Sequence, residues 1–245
     1  MRVNRLLAAV AATALIAPAA LATIVTVEAF NNATIQPAGP RSGPNGKNFF
    51  NIEGADNGQF ASWGAADFDN AAFGISVANP NDLIINGLWL ELTQSNAAFT
   101  KNGPVSIYLV EDSATSIEPG VSPFRFDTSS LPEGLGSQFS TIYHLANGYF
   151  TKVANGHLDV YDIFSGLSPA TKNILRGKLI SPPVNPIRLV ITPLANDTAA
   201  TWAGFSNSTY AGPTLRLDYT IVPEPSALVA MATGLAALFA RRRRA

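Results

Sequence analysis

The chain has no cysteine among its 245 residues. That removes disulfide staples, thiol nucleophiles, thiolate metal sites and thiol redox roles together, so the fold has to stand on its packed core. Histidine occurs only twice, as His144 and His157. A serine hydrolase would need one of them as its base, yet no G-x-S-x-G elbow accompanies either, and GFSNS around Ser206 lacks the second glycine. With no H-E-x-x-H and no cysteine, a zinc site is not expected. His157 directly follows a turn signal and reads as a surface residue, and His144 reads as a packed strand residue. Charge is scarce as well. Setting aside Arg2, Arg5, Arg241 to Arg244 and Glu224, the middle of the chain keeps 10 of the 16 basic and 16 of the 17 acidic residues, a net charge of about −6. Phosphate binding needs clustered Lys and Arg, so nucleic acid is not an expected partner.

What is present is organised at both ends. MRVNRLLAAVAATALIAPAALA places Arg2 and Arg5 before an apolar run and ends in the small-residue pattern Ala20-Leu21-Ala22. It reads as a signal peptide over residues 1–22, to be cut by signal peptidase so that Thr23 begins the secreted chain. At the other end, Pro223-Glu224-Pro225 precedes an apolar stretch from Ala227 to Ala240 and then Arg241, Arg242, Arg243 and Arg244. The prolines hold an extended segment that a protease can grip. The stretch of about 14 residues would make a helix of roughly 21 Å, marginal against a bilayer core of ~30 Å. The arginines would stall it on the cytoplasmic side.

This tail, residues 223–245, resembles the PEP-CTERM sorting signal of Gram-negative bacteria. The resemblance implies recognition by an exosortase, with Pro223, Glu224 and Pro225 as the motif and Arg241 to Arg244 as the cytoplasmic stop. It also implies a link to exopolysaccharide or biofilm, transient anchoring in the inner membrane, and a final place at the cell surface or in the matrix.

Between the ends, residues 23–222 form one expected domain, long enough to bury roughly 70 per cent of its extended-chain surface. Short runs rich in Val, Ile, Leu, Phe and Tyr recur between clusters of Gly, Pro and Asn, at 24–30, 49–53, 65–68, 73–77, 83–94, 105–110, 141–145, 149–154, 157–162, 187–192, 201–206 and 214–221. The expected fold is all-β, a jelly-roll-like β-sandwich with a single short helix over 168–178, capped by Ser168 with Pro169 at its first position. Asn155-Gly156 predicts a type I′ hairpin. Its register pairs Val153 with Leu158 and Thr151 with Val160 on an inward face, and Lys152 with Asp159 and Phe150 with Tyr161 on the solvent face.

LIINGLWLELTQ before VSIYLVED, together with TWAGFSNSTYAGPTLRLDY, resembles DNRLRE-type bacterial surface domains. These are non-catalytic β-sandwiches related in shape to carbohydrate-binding modules. No functional residue carries over, and WGAADFDN stands where that family's Arg-bearing strand would be.

Three candidate chemistries follow from the residues. In LWLEL the alternation turns Trp89 and Glu91 away from Leu88, Leu90 and Leu92, which makes Trp89 a candidate for stacking on a sugar ring, with Trp63, Trp202, Tyr161 and Tyr210 as further aromatics. Asp56, Asp67 and Asp69, with Glu53, Asn57 and Asn70, could converge on a calcium ion if the intervening loop folds back, although Asx-turns and solvated loop carboxylates are the commoner account of such residues. Two carboxylates facing across a cleft would permit glycan hydrolysis. The expected function is a non-enzymatic, exported surface or matrix protein, the alternatives being a carbohydrate-binding module and a glycan-active hydrolase.

Overall fold

Among the described residues the chain forms twelve strands: β1 (Ala22–Glu28), β2 (Asn31–Gln36), β3 (Gly39–Pro40), β4 (Phe49–Glu53), β5 (Trp63–Phe68), β6 (Leu83–Thr93), β7 (Gly103–Val110), β8 (Ile142–Phe150), β9 (Leu158–Asp162), β10 (Ile187–Pro193), β11 (Ala199–Ala203) and β12 (Thr214–Ile221). They form sheets in the orders β1-β12-β6-β9, β3-β2-β5-β10-β7-β8 and β11-β4. This computed structural model describes residues 22–77, 79–180 and 186–222. The predicted signal peptide up to residue 21, the motif Pro223 to Pro225, the apolar tail and Arg241 to Arg244 therefore lie outside the described residues. Among the described residues, one unit lies within Ile24–Ser76 and Ile85–Asp218, and residues 22–23, 77, 79–84 and 219–222 belong to the other. In the second, Pro80–Asp82 forms a 3-10 turn, and Val222 N–H donates to the Asp82 carbonyl at 2.8 Å. Among the described residues no helix is long and apolar enough to cross a membrane.

The all-β sandwich is as expected. The helix is too: α2 (Pro169–Ile180) begins where Ser168 Oγ accepts from Thr171 N–H at 3.2 Å. Among the described residues a five-residue helix, α1 (Pro44–Asn48), and four 3-10 turns add to it. The apolar run 73–77 is not a strand. The Asp69 carboxylate caps a 3-10 turn over Asn70–Phe73, and Gly74, at φ 64°, ends it.

Two cores hold the larger unit. In the first, Trp202 of β11 meets Phe50 of β4 at 6.2 Å and Phe150 of β8 at 5.4 Å between ring centroids, and its indole N–H donates to Asp159 of β9 at 2.7 Å. One side chain thus touches all three sheets. The second lies under the long connection between β7 and β8. Trp63 packs edge-on against Phe124 and Phe139, at 5.8 and 5.6 Å, over Ala33, Ala65 and Val190.

The predicted hairpin is replaced by a crossing between sheets. β8 pairs with β7 in the six-stranded sheet and β9 pairs with β6 in the four-stranded one. Asn155-Gly156 does turn the chain, with His157 N–H bonded to the Ala154 carbonyl at 3.1 Å. Positive φ occurs at Gly156 alone, at 87°, which fits type II and not type I′. Val153, Leu158 and Val160 are exposed, whereas Tyr161 is buried. The inward face is the opposite of the predicted one because Gln94, fully buried, takes the partner's place. Its side-chain oxygen accepts from Val153 N–H at 3.0 Å, and its amide donates to the Thr151 carbonyl at 2.7 Å and to Asp159 at 3.0 Å.

Candidate functional site

On the outer face of the four-stranded sheet, Trp89 is turned from the leucines as the alternation requires, but it is half-buried. The alternation changes phase at Gly87: Leu83 and Ile85 are buried before it, and Leu88, Leu90 and Leu92 after it. This is the usual role of a glycine inside a strand, where a missing side chain admits a neighbour. The indole lies over Gly87, in the space any Cβ there would need. Its ring also carries the Arg216 guanidinium, 4.1 Å from the centroid, and Arg216 Nε donates to Glu91 at 2.6 Å. Trp89 is therefore not an open platform. A sugar would have to displace a cation held in place by a carboxylate. Trp63 and Trp202 are fully buried, and Tyr161 is buried with them.

The acidic residues are dispersed. Asp67 on β5 is buried and grips Arg188 on β10, with Nε to Oδ1 at 2.7 Å and Nη2 to Oδ2 at 2.8 Å. Burial pushes its carboxyl above the usual range, against the pull of Arg188. Asp69 is occupied as a turn cap, and Asp56 lies in the 3-10 turn Ala55–Phe60. Among the described residues no group of three or more His, Cys, Asp or Glu could hold a metal ion, so Asp56, Asp67 and Asp69 do not converge on a calcium site.

Asp159 is the most connected carboxylate. It accepts from the Trp202 indole and from Gln94, and His157 Nε2 stands 3.6 Å away on the exposed side. Burial raises its pKa above the ordinary 3.8, while the bonds from Trp202 and Gln94 oppose the shift. These partners hold the crossing segment in place. None presents a nucleophile.

The open aromatic and polar surface lies instead along β8, at the margin of the six-stranded sheet. Ser106 pairs with Asn147 and Tyr108 with His144, across a bulge that leaves Leu145 without a counterpart. The extra residue brings His144 and Asn147, three apart, onto one face; in an unbroken strand they would point to opposite faces. Asn147 Oδ1 accepts from Ser106 Oγ at 3.0 Å and meets His144 Nε2 at 2.8 Å. The His144 ring stands edge-on to Tyr108, 5.4 Å between centroids, and the Tyr108 hydroxyl donates to Glu133. Burial first, then the Glu133 carboxylate, pushes the Tyr108 pKa up to about 12. Two residues along, Tyr149 is 60 % exposed. His144 is exposed as well, contrary to the packed position expected for it. Sequence reasoning missed this strip because it divided β8 into two strands, at 141–145 and 149–154. The bulge that creates the strip leaves no local pattern in the sequence.

Residues 222–244 match the PEP-CTERM protein-sorting motif. The chain is accordingly an exported, tail-sorted protein, transiently anchored in the membrane at its C-terminus and processed by an exosortase. No curated protein matches the chain.

Proposed function

We propose that this chain is a non-enzymatic surface or extracellular-matrix protein of a Gram-negative bacterium, delivered by its tail and associated with exopolysaccharide or biofilm. The sorting motif carries the reading: it starts at residue 222, directly after β12 ends at Ile221. The likeness of its central strands to DNRLRE-type surface domains supports it. So do the structural partners of the buried acids, since Asp67 is held by Arg188 and Asp159 by Trp202 and Gln94. Signal peptidase and exosortase are the processing partners, acting before Thr23 and near Pro223 to Pro225.

Mass spectrometry of washed cell-surface and matrix fractions tests the proposal. The expected product begins at Thr23 and ends near Pro223 to Pro225. Recovery there of a chain retaining Met1 or Arg244, or confinement of the protein to the cytoplasm, overturns it.

A further inference from the structure

The strip on β8 offers a surface whose polar groups are fixed from behind and open in front. Asn147 Oδ1 is occupied by Ser106 and His144, so the amide cannot rotate freely and its two N–H donors are left for solvent. With His144 Nε2 as the donor to Asn147, Nδ1 becomes an acceptor. Tyr149 adds an exposed ring two residues further along the strand, about 7 Å away, and among the described residues nothing bonds its hydroxyl. β8 is the outermost strand of its sheet, so among the described residues no further strand blocks the passage of a long chain beside it.

The chemistry of this row selects its ligand. It combines an apolar ring face, paired N–H donors and an imidazole nitrogen, the complement of a molecule with C–H faces and neighbouring hydroxyls. The charged side chain bonded to a tyrosine of this face, Glu133 on Tyr108, is acidic and repels an anionic polymer. We infer that the outer face of β8 binds a neutral polysaccharide, which stacks on Tyr149 and takes hydrogen bonds from Asn147 and to His144. The inference rests on the reading of the protein as a matrix component and names the ligand class and the site.

Affinity electrophoresis of the full chain through gels containing laminarin, hydroxyethylcellulose, dextran or galactomannan, with alginate as the acidic comparison, tests it. Retardation by at least one neutral polymer is expected. Tyr149→Ala should weaken that affinity about tenfold, Tyr149→Phe should preserve it, and the melting temperature should stay unchanged in both because the side chain is exposed. Asn147→Ala should weaken binding as well, with His144→Ala as a second variant should Asn147→Ala unfold. Retardation by no neutral polymer, retardation by alginate alone, or binding unaffected by Tyr149→Ala overturns the site. A protein recovered from the matrix but not retarded loses only this inference. One that is retarded but absent from the surface fractions loses the sorting proposal and keeps the site.

Discussion

Arg188 and Asp67 lie opposite each other across β10 and β5, joined by two hydrogen bonds, and the remaining guanidinium nitrogen reaches the carbonyls of Asp112 and Thr115 at 3.1 and 2.7 Å. The ion pair is thus also the clamp for the start of the β7 to β8 connection. Arg188→Met should cost about 3 to 5 kcal/mol, because it strands a buried carboxylate. In urea unfolding, a double variant with Asp67→Ala should recover only part of this loss, since the two carbonyls still lack a donor. Full recovery would show that the clamp contributes nothing.

Asp159 makes stability depend on pH in an unusual direction. Its folded pKa lies above the ordinary 3.8, so between those values the folded state holds more protons than the unfolded one. Stability from this group is then fully present below the unfolded pKa and falls as pH rises through the folded one. Asp67 and Glu53 are raised by burial and act in the same sense. Denaturant melts from pH 4 upward should show this negative slope, and Asp159→Asn should flatten it. An unchanged slope in that variant would place the pH dependence elsewhere.

Trp89 should behave as a structural residue. Trp89→Ala removes its contact with Arg216 and uncovers Gly87, at an expected cost of about 1 to 3 kcal/mol. Polysaccharide retardation should be unaffected. A loss of binding at unchanged stability would return Trp89 to the ligand surface.

Gly156→Val should destabilise by roughly 1 to 2 kcal/mol. The backbone there has φ 87°, and a Cβ would stand 3.1 Å from the Tyr210 ring. Thermal melts compare it with Asn155→Ala, which loses only the bond from Ala97 N–H at 2.8 Å and should cost less. Equal melting temperatures for the two variants would contradict the assigned turn.

The sequence announced what depends on neighbours along the chain. The bounds of β4 and β12 and the Ser168 cap come from apolar runs and capping chemistry, and they were legible. What depended on partners across the fold was not. β2 reads as polar, yet Asn32 and Thr34 are buried within it because distant groups use them: Phe205 N–H bonds to Asn32 at 2.6 Å and Asn51 N–H to Thr34 at 2.9 Å. Likewise, apolar alternation favoured Leu158 and Val160 as the inward face of β9. The buried donors on Trp202 and Gln94 need an acceptor more than the core needs two further aliphatics, and Asp159 therefore points inward. The strip on β8 shows the same limit, since one unpaired residue in a bulge reverses which side chains share a face.

The crossing from β8 to β9 is fastened by bonds to Gln94 and Asn102 and not by a strand ladder: the Gln94 side chain holds Val153 and Thr151, its backbone holds Gly156 and His157, and Asn102 accepts from Lys152 N–H. In hydrogen exchange, the amides of 151–157 should accordingly open below the global unfolding energy, because isolated bonds and not a ladder protect them. The two large sheets would then part first at this seam, with β9 detaching from the Trp202 core while the β7 to β8 ladder stays closed. The fold thus has a built-in weakest joint, whose strength is set by a few bonds centred on Gln94.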